Sequence, residues 1–273
     1  MFANVVFDCV YSQIVSSVIL IMAIILPQLE HHLYFPPPEL ALADPNGLLA
    51  FGGDLSVPRL IKAYQSGIFP WYSENEPLLW WSPDPRGVLF PDAFHLSKSL
   101  RKFLKRTSLR VTVNCDFNGV IAACASVPRE PVSLEAVDTS DETHKTWITS
   151  DIQNAYQMLA YHGVAHSVEV WQKQQLVGGL YGVNVGQVFC GESMFHTTTN
   201  ASKLALFCLV SLLKSFRYSF IDCQMQTEHL ASLGVQTIPR RVFLNHLAQG
   251  IKMPLDEHVW QPRVLFEQQQ WLG

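Results

Sequence analysis

Asp222 and Gln224 stand two residues apart in the run "FIDCQM". On a strand, side chains alternate between faces, so Phe220, Asp222 and Gln224 project to one side. A carboxylate beside a carboxamide can accept hydrogen bonds from an amine and orient its lone pair. The polar face of an exposed edge strand would look the same. Glu192, in "FCGESMF", can bring a second acid to the same place, and two acids there suit a cationic substrate. At a strand end, Asp222→Asn is expected to keep the fold and to lose activity.

The Gly191-Glu192-Ser193 segment reads as a sharp corner between a strand-like run and an apolar helix. A serine-hydrolase elbow needs a second glycine two residues after the serine, and this chain has Phe195 there. Asp222 and His229 supply an acid and a histidine in the right order, but such residues are common. A coenzyme A-dependent N-acyltransferase is the alternative enzyme class. It would carry a Gly-rich turn before its central helix, so that backbone N–H groups cradle the pyrophosphate. The turn here, "HTTTNAS", holds no glycine. His162 and His166 are four apart, but Gly163 lies between them at a helix end, and they read as ordinary histidines. The six cysteines form no C-x-x-C pair. Most read as buried free thiols of a reducing compartment, and no metal is expected.

Aromatics and cations make two further sets. Trp71, Trp80 and Trp81 lie in "GIFPWYSENEPLLWWSPDPR", and Trp147 is expected to open a capped helix. Most tryptophans are core residues. Trp71 sits on a Pro-rich turn, where an aromatic platform could stack on a nucleobase. The segment "HLSKSLRKFLKRTSLR" holds Lys98, Arg101, Lys102, Lys105, Arg106 and Arg110 with no acid, in a chain of net charge −4. Leu96, Leu100, Phe103 and Leu104 give it one apolar stripe. A solvated helix face and a phosphate-facing surface both fit.

These residues need elements to hold them. "LSVPRLIKAYQSG" predicts a helix with Ser56 as N-cap, Pro58 in its first turn and Gly67 ending it. Residues 127–145 read as a surface loop. In "TSDIQNAYQMLAYHG", Ser150 and Gln153 suggest a capping box at the start of a helix. "HSVEVW", "QLVGGLYGV" and "QVFCGESMF" read as a three-strand meander. "NASKLALFCLVSLLKSF" follows as a buried helix that Asn200 could cap, then the strand "YSFIDCQM" and the helix "PRRVFLNHLAQ". The order predicts an α/β (α+β) domain with a mixed sheet in three layers, as in a GNAT-like acyltransferase core. The apolar run Ile14 to Leu26 is too short to span a bilayer and lacks the basic flank of a signal peptide. Met22 is therefore expected to be the true start, with residues 1–21 an extension.

Nine segments, "PNGLLAFGGDLS", "AYQSGIFPWY", "LLWWSPDPRGVL", "HSVEVW", "LVGGLYGV", "FCGESMF", "NASKLAL", "IDCQ" and "ASLGVQTIPRRVFL", together resemble the leucyl/phenylalanyl-tRNA–protein transferase family. The resemblance runs from about Leu33 to the C-terminus. It implies a small N-terminal domain (22–84) on a GNAT-like domain (85–273). It implies transfer of Leu or Phe, less readily Met, from aminoacyl-tRNA to proteins that begin with Lys or Arg. The product is a destabilising N-terminus read by a bacterial degradation pathway. No phosphate loop is needed, because the acyl group arrives on tRNA, and no cofactor or metal is implied. On the family's motifs, Glu192, Asp222 and Gln224 fall at the reaction centre. Trp71 and Trp147 fall near the terminal adenosine. Leu180 and Phe189 line the pocket for the transferred side chain, and Tyr64, Tyr156 and Ser193 join the substrate site. Lys98, Arg101, Lys102, Lys105 and Arg106 would hold the tRNA. A cytoplasmic monomer with no membrane association is implied. The 127–145 loop is longer than usual in the family, and the first 21 residues have no counterpart.

Overall fold

A computed structural model describes residues 26–127 and 146–273. The expectations for Met22 and residues 1–21, and all but the first residue of the 127–145 loop, lie outside the described residues.

The chain begins with a small sheet. Strands β1 (Gln28–Leu29), β2 (Leu48–Gly52), β3 (Phe69–Pro70) and β4 (Leu79–Trp81) pair in the order β1-β2-β4-β3. Helix α1 (Val57–Gln65) connects β2 to β3. Ser56 occupies the N-cap position, but its side chain makes no cap bond. Gly67, at φ +74, ends the helix; a Cβ there would stand 2.7 Å from Leu244 and 2.8 Å from Phe243.

The larger sheet starts at β5 (Arg86–Leu89). Then come α2 (Lys98–Leu104), β6 (Arg110–Val113), α3 (Phe117–Ser126), α4 (Ser150–Tyr161), β7 (Ala165–Gln172), β8 (Gln175–Val185) and β9 (Val188–His196). Helix α5 (Ala201–Ser215), β10 (Phe220–Gln224), α6 (Glu228–Ser232), β11 (Gln236–Ile238), α7 (Arg240–Gly250), β12 (Arg263–Glu267) and β13 (Gln270–Trp271) complete it. The strand order is β11-β5-β10-β9-β8-β7-β6-β12-β13. The β7–β8–β9 meander is antiparallel and β9–β10 is parallel, so the sheet is mixed as predicted.

Alternation along the strands builds two cores. Val168, Val170, Leu180 and Phe189 pack with Leu204, Leu209 and Leu213 of α5 on one face. Tyr181, Val183, Val188 and Phe220 face the other side. There they join Val120 of α3, Ile152 and Tyr156 of α4, Leu60 and Tyr64 of α1, and Trp80 of the small sheet. Helix, sheet and helix thus form three layers, and the small sheet shares the α3/α4 core. Helix α5 is apolar almost all round because it is covered on most sides.

Local details depart from the sequence reading. The N-cap of α4 is Thr149, whose hydroxyl accepts from the Ile152 N–H; Gln153 donates to the Ile148 carbonyl and closes no capping box with Ser150. Asn200 is left-handed (φ +66) and makes no side-chain cap bond. The basic helix stops at Leu104, so Arg110 belongs to β6, 3.7 Å from Glu267. Helix α3 was hidden by its Ala, Gly, Cys and Ser residues, which blur the apolar period. The expected corner at Gly191-Glu192-Ser193 is an interruption inside β9, which continues to His196.

Candidate active site

Two irregularities open the sheet between its parallel strands. Phe189 and Cys190 of β9 pair with Ile221 and Asp222 of β10. Against β8, Gly191 pairs with Gly182 and Ser193 with Tyr181, leaving Glu192 as an extra residue. Against β5, Asp222 pairs with Val88 and Gln224 with Gly87, leaving Cys223 extra. Each bulge bends its strand and re-aims a side chain. Gly182 permits the close approach, since a Cβ there would stand 2.2 Å from the Cys190 carbonyl oxygen. Gln224 takes a left-handed φ of 55°, which costs a non-glycine residue roughly 1 kcal/mol.

This geometry turns Glu192 and Gln224 toward each other. Gln224 Nε2 donates to Glu192 Oε1 at 3.2 Å. Tyr156 donates its hydroxyl to Glu192 Oε2 at 3.1 Å, and the Tyr64 hydroxyl hydrogen-bonds that of Tyr156. Burial pushes Glu192 up to about 7 against the partial opposition of both tyrosine hydroxyls. Burial and the facing carboxylate hold Tyr64 and Tyr156 well above the usual phenol range.

Asp222 is placed differently. It is 1% exposed and receives the Arg86 guanidinium as a fork, Nε on Oδ1 at 2.8 Å and Nη2 on Oδ2 at 2.7 Å. Oδ1 also accepts the Gln224 backbone N–H at 3.0 Å. Both carboxylate oxygens are therefore occupied from within the protein. The expectation that Asp222 and Gln224 offer adjoining acceptors to one amine needs correction. The bulge at Cys223 breaks the strand alternation, and Asp222 holds the main chain of Gln224 instead.

A cavity of about 500 Å³ lies over this opening. Its buried apolar part includes Leu89, Leu180, Phe189, Leu206, Leu209 and Ile221. Glu192, Ser193, Gln224 and Thr227 supply polar atoms, and Phe69, Trp71 and Trp147 add aromatic surface. Trp81 donates its indole N–H to the Trp71 carbonyl at 2.7 Å, and the two rings meet edge to face 5.4 Å apart. Seven residues singled out from sequence line this cavity: Glu192, Gln224, Trp71, Trp147, Leu180, Phe189 and Ser193. Tyr64 and Tyr156 do not; they stand behind Glu192. Nor does Asp222, which stands behind Gln224. Lys98, Arg101, Lys102, Lys105 and Arg106 are exposed on and just after α2, away from the cavity lining. None of the five is in an ion pair among the described residues. Trp80 is a core residue, fully buried and edge-on to Phe35. His166 stacks on Trp260 at 4.2 Å and is buried, whereas His162 is exposed at the end of α4. Of the described cysteines, Cys115 is exposed and Cys223 half-buried.

Sequence reasoning missed Arg86. The signal was available in principle: a carboxylate between Ile221 and Cys223 in an apolar strand requires a cation, and "DPRGVL" places one at the head of a strand. Nothing local says that the two meet.

A family model for leucyl/phenylalanyl-tRNA protein transferase matches residues 88–248, and a model for the N-terminal domain of the same family matches residues 53–84. The leucyl/phenylalanyl-tRNA–protein transferase of Pseudoalteromonas atlantica (strain T6c / ATCC BAA-1087) is 59% identical over 238 residues, 87% of this chain and 97% of the relative. That of Tolumonas auensis (strain DSM 9187 / NBRC 110442 / TA 4) is 53% identical over 244 residues, 89% of this chain and 99% of the relative. That of Edwardsiella ictaluri (strain 93-146) is 52% identical over 236 residues, 86% and 92% of the two chains. On both domains and nearly the full length of these relatives, the chain belongs to the leucyl/phenylalanyl-tRNA–protein transferase family and is an enzyme of the aminoacyltransferase type.

Proposed function

We propose that this enzyme transfers Leu or Phe, and less readily Met, from aminoacyl-tRNA to the α-amine of proteins that begin with Lys or Arg. The observation that carries the reading is the Gln224–Glu192 pair in the wall of a cavity whose buried part is apolar. The apolar part takes the Leu or Phe side chain. Trp71 and Trp147 take the terminal adenosine by stacking. An aminoacyl ester is already activated, so no covalent enzyme intermediate is required. The acceptor amine attacks the ester carbonyl, a C–N bond forms, and the bond to the ribose oxygen breaks. Orientation alone can supply several kcal/mol of the barrier, on the order of 7–11 at most.

In this reading the Gln224 carboxamide oxygen accepts from the amine and aims its lone pair. Glu192, raised to about 7, takes up the amine proton and passes it to the leaving ribose oxygen, so the carboxylate is restored. Its carboxylate also attracts the cationic side chain of the acceptor. Tyr64 and Tyr156 hold Glu192 in place, and Ser193 lines the same pocket. Asp222 acts through the Gln224 main chain. The α2 cations hold the tRNA backbone. The division into 22–84 and 85–273 is supported by β4 ending at Trp81 in one sheet and β5 opening at Arg86 in the other. No described helix is long and apolar enough to cross a membrane, and a cytoplasmic monomer suits a tRNA substrate.

The coenzyme A reading finds less support. The Thr197 and Thr198 amides both point to the Val177 carbonyl, and the Ala201 amide to Thr198, so the turn before α5 presents few free donors. Incubation with labelled Phe-tRNA and a peptide beginning with Arg tests the proposal. Absence of label transfer by folded protein would reject it, and tight coenzyme A binding by calorimetry would favour the other class.

A further inference from the structure

Arg86 is 1% exposed and lies outside the cavity lining, yet its guanidinium is fixed on every side. Two of its nitrogens fork onto Asp222, and Nη1 donates to the Gly67 carbonyl at 3.1 Å. The guanidinium carbon lies 4.4 Å from the Phe243 ring centroid and 4.9 Å from that of Phe69. Phe69 itself lines the cavity, and Gly67 ends α1 in the small N-terminal unit. On the other side, Asp222 Oδ1 receives the Gln224 N–H, and the Gln224 side chain reaches Glu192. One chain of contacts therefore runs from the Gly67 carbonyl through Arg86 and Asp222 to Gln224.

We propose that Arg86 is a positioning residue for aminoacyl transfer: by clamping Asp222 it holds Gln224 in its left-handed conformation and keeps the carboxamide in the cavity wall. The inference rests on the transferase reading above. Three features make the clamp specific. The fork fixes the carboxylate plane, which a single ammonium cannot do. The two rings leave the guanidinium little freedom to rotate. Gln224 is left-handed and follows a bulge; its ladder partner is Gly87 of β5, and the Asp222 carboxylate takes its backbone N–H where the register shifts. Releasing Asp222 lets Gln224 relax toward ordinary β geometry and withdraws its side chain. A displacement of about 1 Å in a group that orients a reactant can cost on the order of 10²-fold in rate.

The test uses the full chain with Phe-tRNA and an Arg-initiated peptide. Arg86→Lys should lower kcat by on the order of 10-fold or more and leave the KM for Phe-tRNA within about twofold, since the clamp touches no part of the tRNA. Gln224→Ala should be slow by itself. Adding Arg86→Lys to it should cost little more, because the clamp then has nothing left to position. A purely structural Arg86 would give the same loss in both backgrounds, and that result overturns the proposal. If Arg86→Lys does not fold, the charge-neutral pair Arg86→Met with Asp222→Asn serves. It should melt near the wild-type temperature with a kcat lower by on the order of 10²-fold, and a wild-type kcat there also overturns the proposal. Failure of the transferase reading is distinct, because the unaltered protein would then transfer no label.

Discussion

Tyr156 and Gln224 hydrogen-bond the Glu192 carboxylate in the cavity wall, with Tyr64 bonded to Tyr156 behind it. Its folded value of about 7 lies above the ordinary 4.5, so the fold prefers the protonated form. That contribution to stability is complete below about pH 4.5 and is lost as the pH rises through 7. Glu192→Gln mimics the protonated acid. It should melt with the wild type near pH 4.5 and above it at pH 8, by roughly 2–4 °C for each kcal/mol gained. Equal differences at both pH values would mean that Glu192 does not titrate in this range. The same variant should lose on the order of 10²-fold or more in transfer, along with the rise in rate through pH 7. Asp222 carries a second prediction. From sequence, Asn at 222 is expected to keep the fold; the Arg86 fork argues otherwise. Asp222→Asn leaves a buried guanidinium without its counter-charge, a change that typically costs about 3–5 kcal/mol. Denaturant unfolding should show that loss beside an on-the-order-of-10²-fold drop in transfer, and unchanged stability would show that the pair carries little weight.

The elements divide the labour. Helix α2 is short and capped by Ser97, whose hydroxyl accepts from the Leu100 N–H at 3.1 Å. It buries Leu100 and Leu104 and leaves Lys98, Arg101 and Lys102 exposed, with Lys105 and Arg106 following. Contacts to phosphate release counterions, so their loss reduces the salt dependence of binding. Changing Lys98, Arg101, Lys102 and Lys105 to Gln should raise the KM for aminoacyl-tRNA and flatten its dependence on salt. Turnover of a short aminoacyl-adenosine donor should stay nearly unchanged. Equal losses with both donors would locate the effect in folding or chemistry instead.

Across the whole molecule, the small sheet completes the core of the large one. Leu60, Ile68 and Trp80 are fully buried in the same cluster as Val120, Ile152 and Tyr156. Tyr64 reaches across to Tyr156, and the Gly67 carbonyl to Arg86. Residues 85–273 alone would expose that apolar face and lose one of the supports behind Glu192. The fragment should bind hydrophobic dyes, melt without cooperativity and transfer nothing, even from aminoacyl-adenosine. A sharp melting transition would show instead that the larger unit folds independently.

Sequence by itself determined the local patterns and the residue types offered for the candidate site. The β7–β8–β9 meander, the buried α5 and the strand carrying Asp222 follow from short-range alternation and helical spacing, which are properties of neighbouring residues. Glu192 and Gln224 were legible as chemistry because few other polar residues interrupt those apolar runs. Helix α3 was not legible, since small residues give no periodic stripe. The cap of α4 was misplaced by one residue, because Thr149 and Ser150 are chemically equivalent there. The tertiary structure decided what each group can do. Arg86 and Asp222 are 136 residues apart, and Tyr64 and Tyr156 are 92 apart, so no local pattern pairs them. The two bulges that turn Glu192 and Gln224 together arise from register between neighbouring strands, a relation that exists only once the sheet has formed. The same register places Asp222 behind the cavity wall, where its charge is met by an arginine before any substrate arrives.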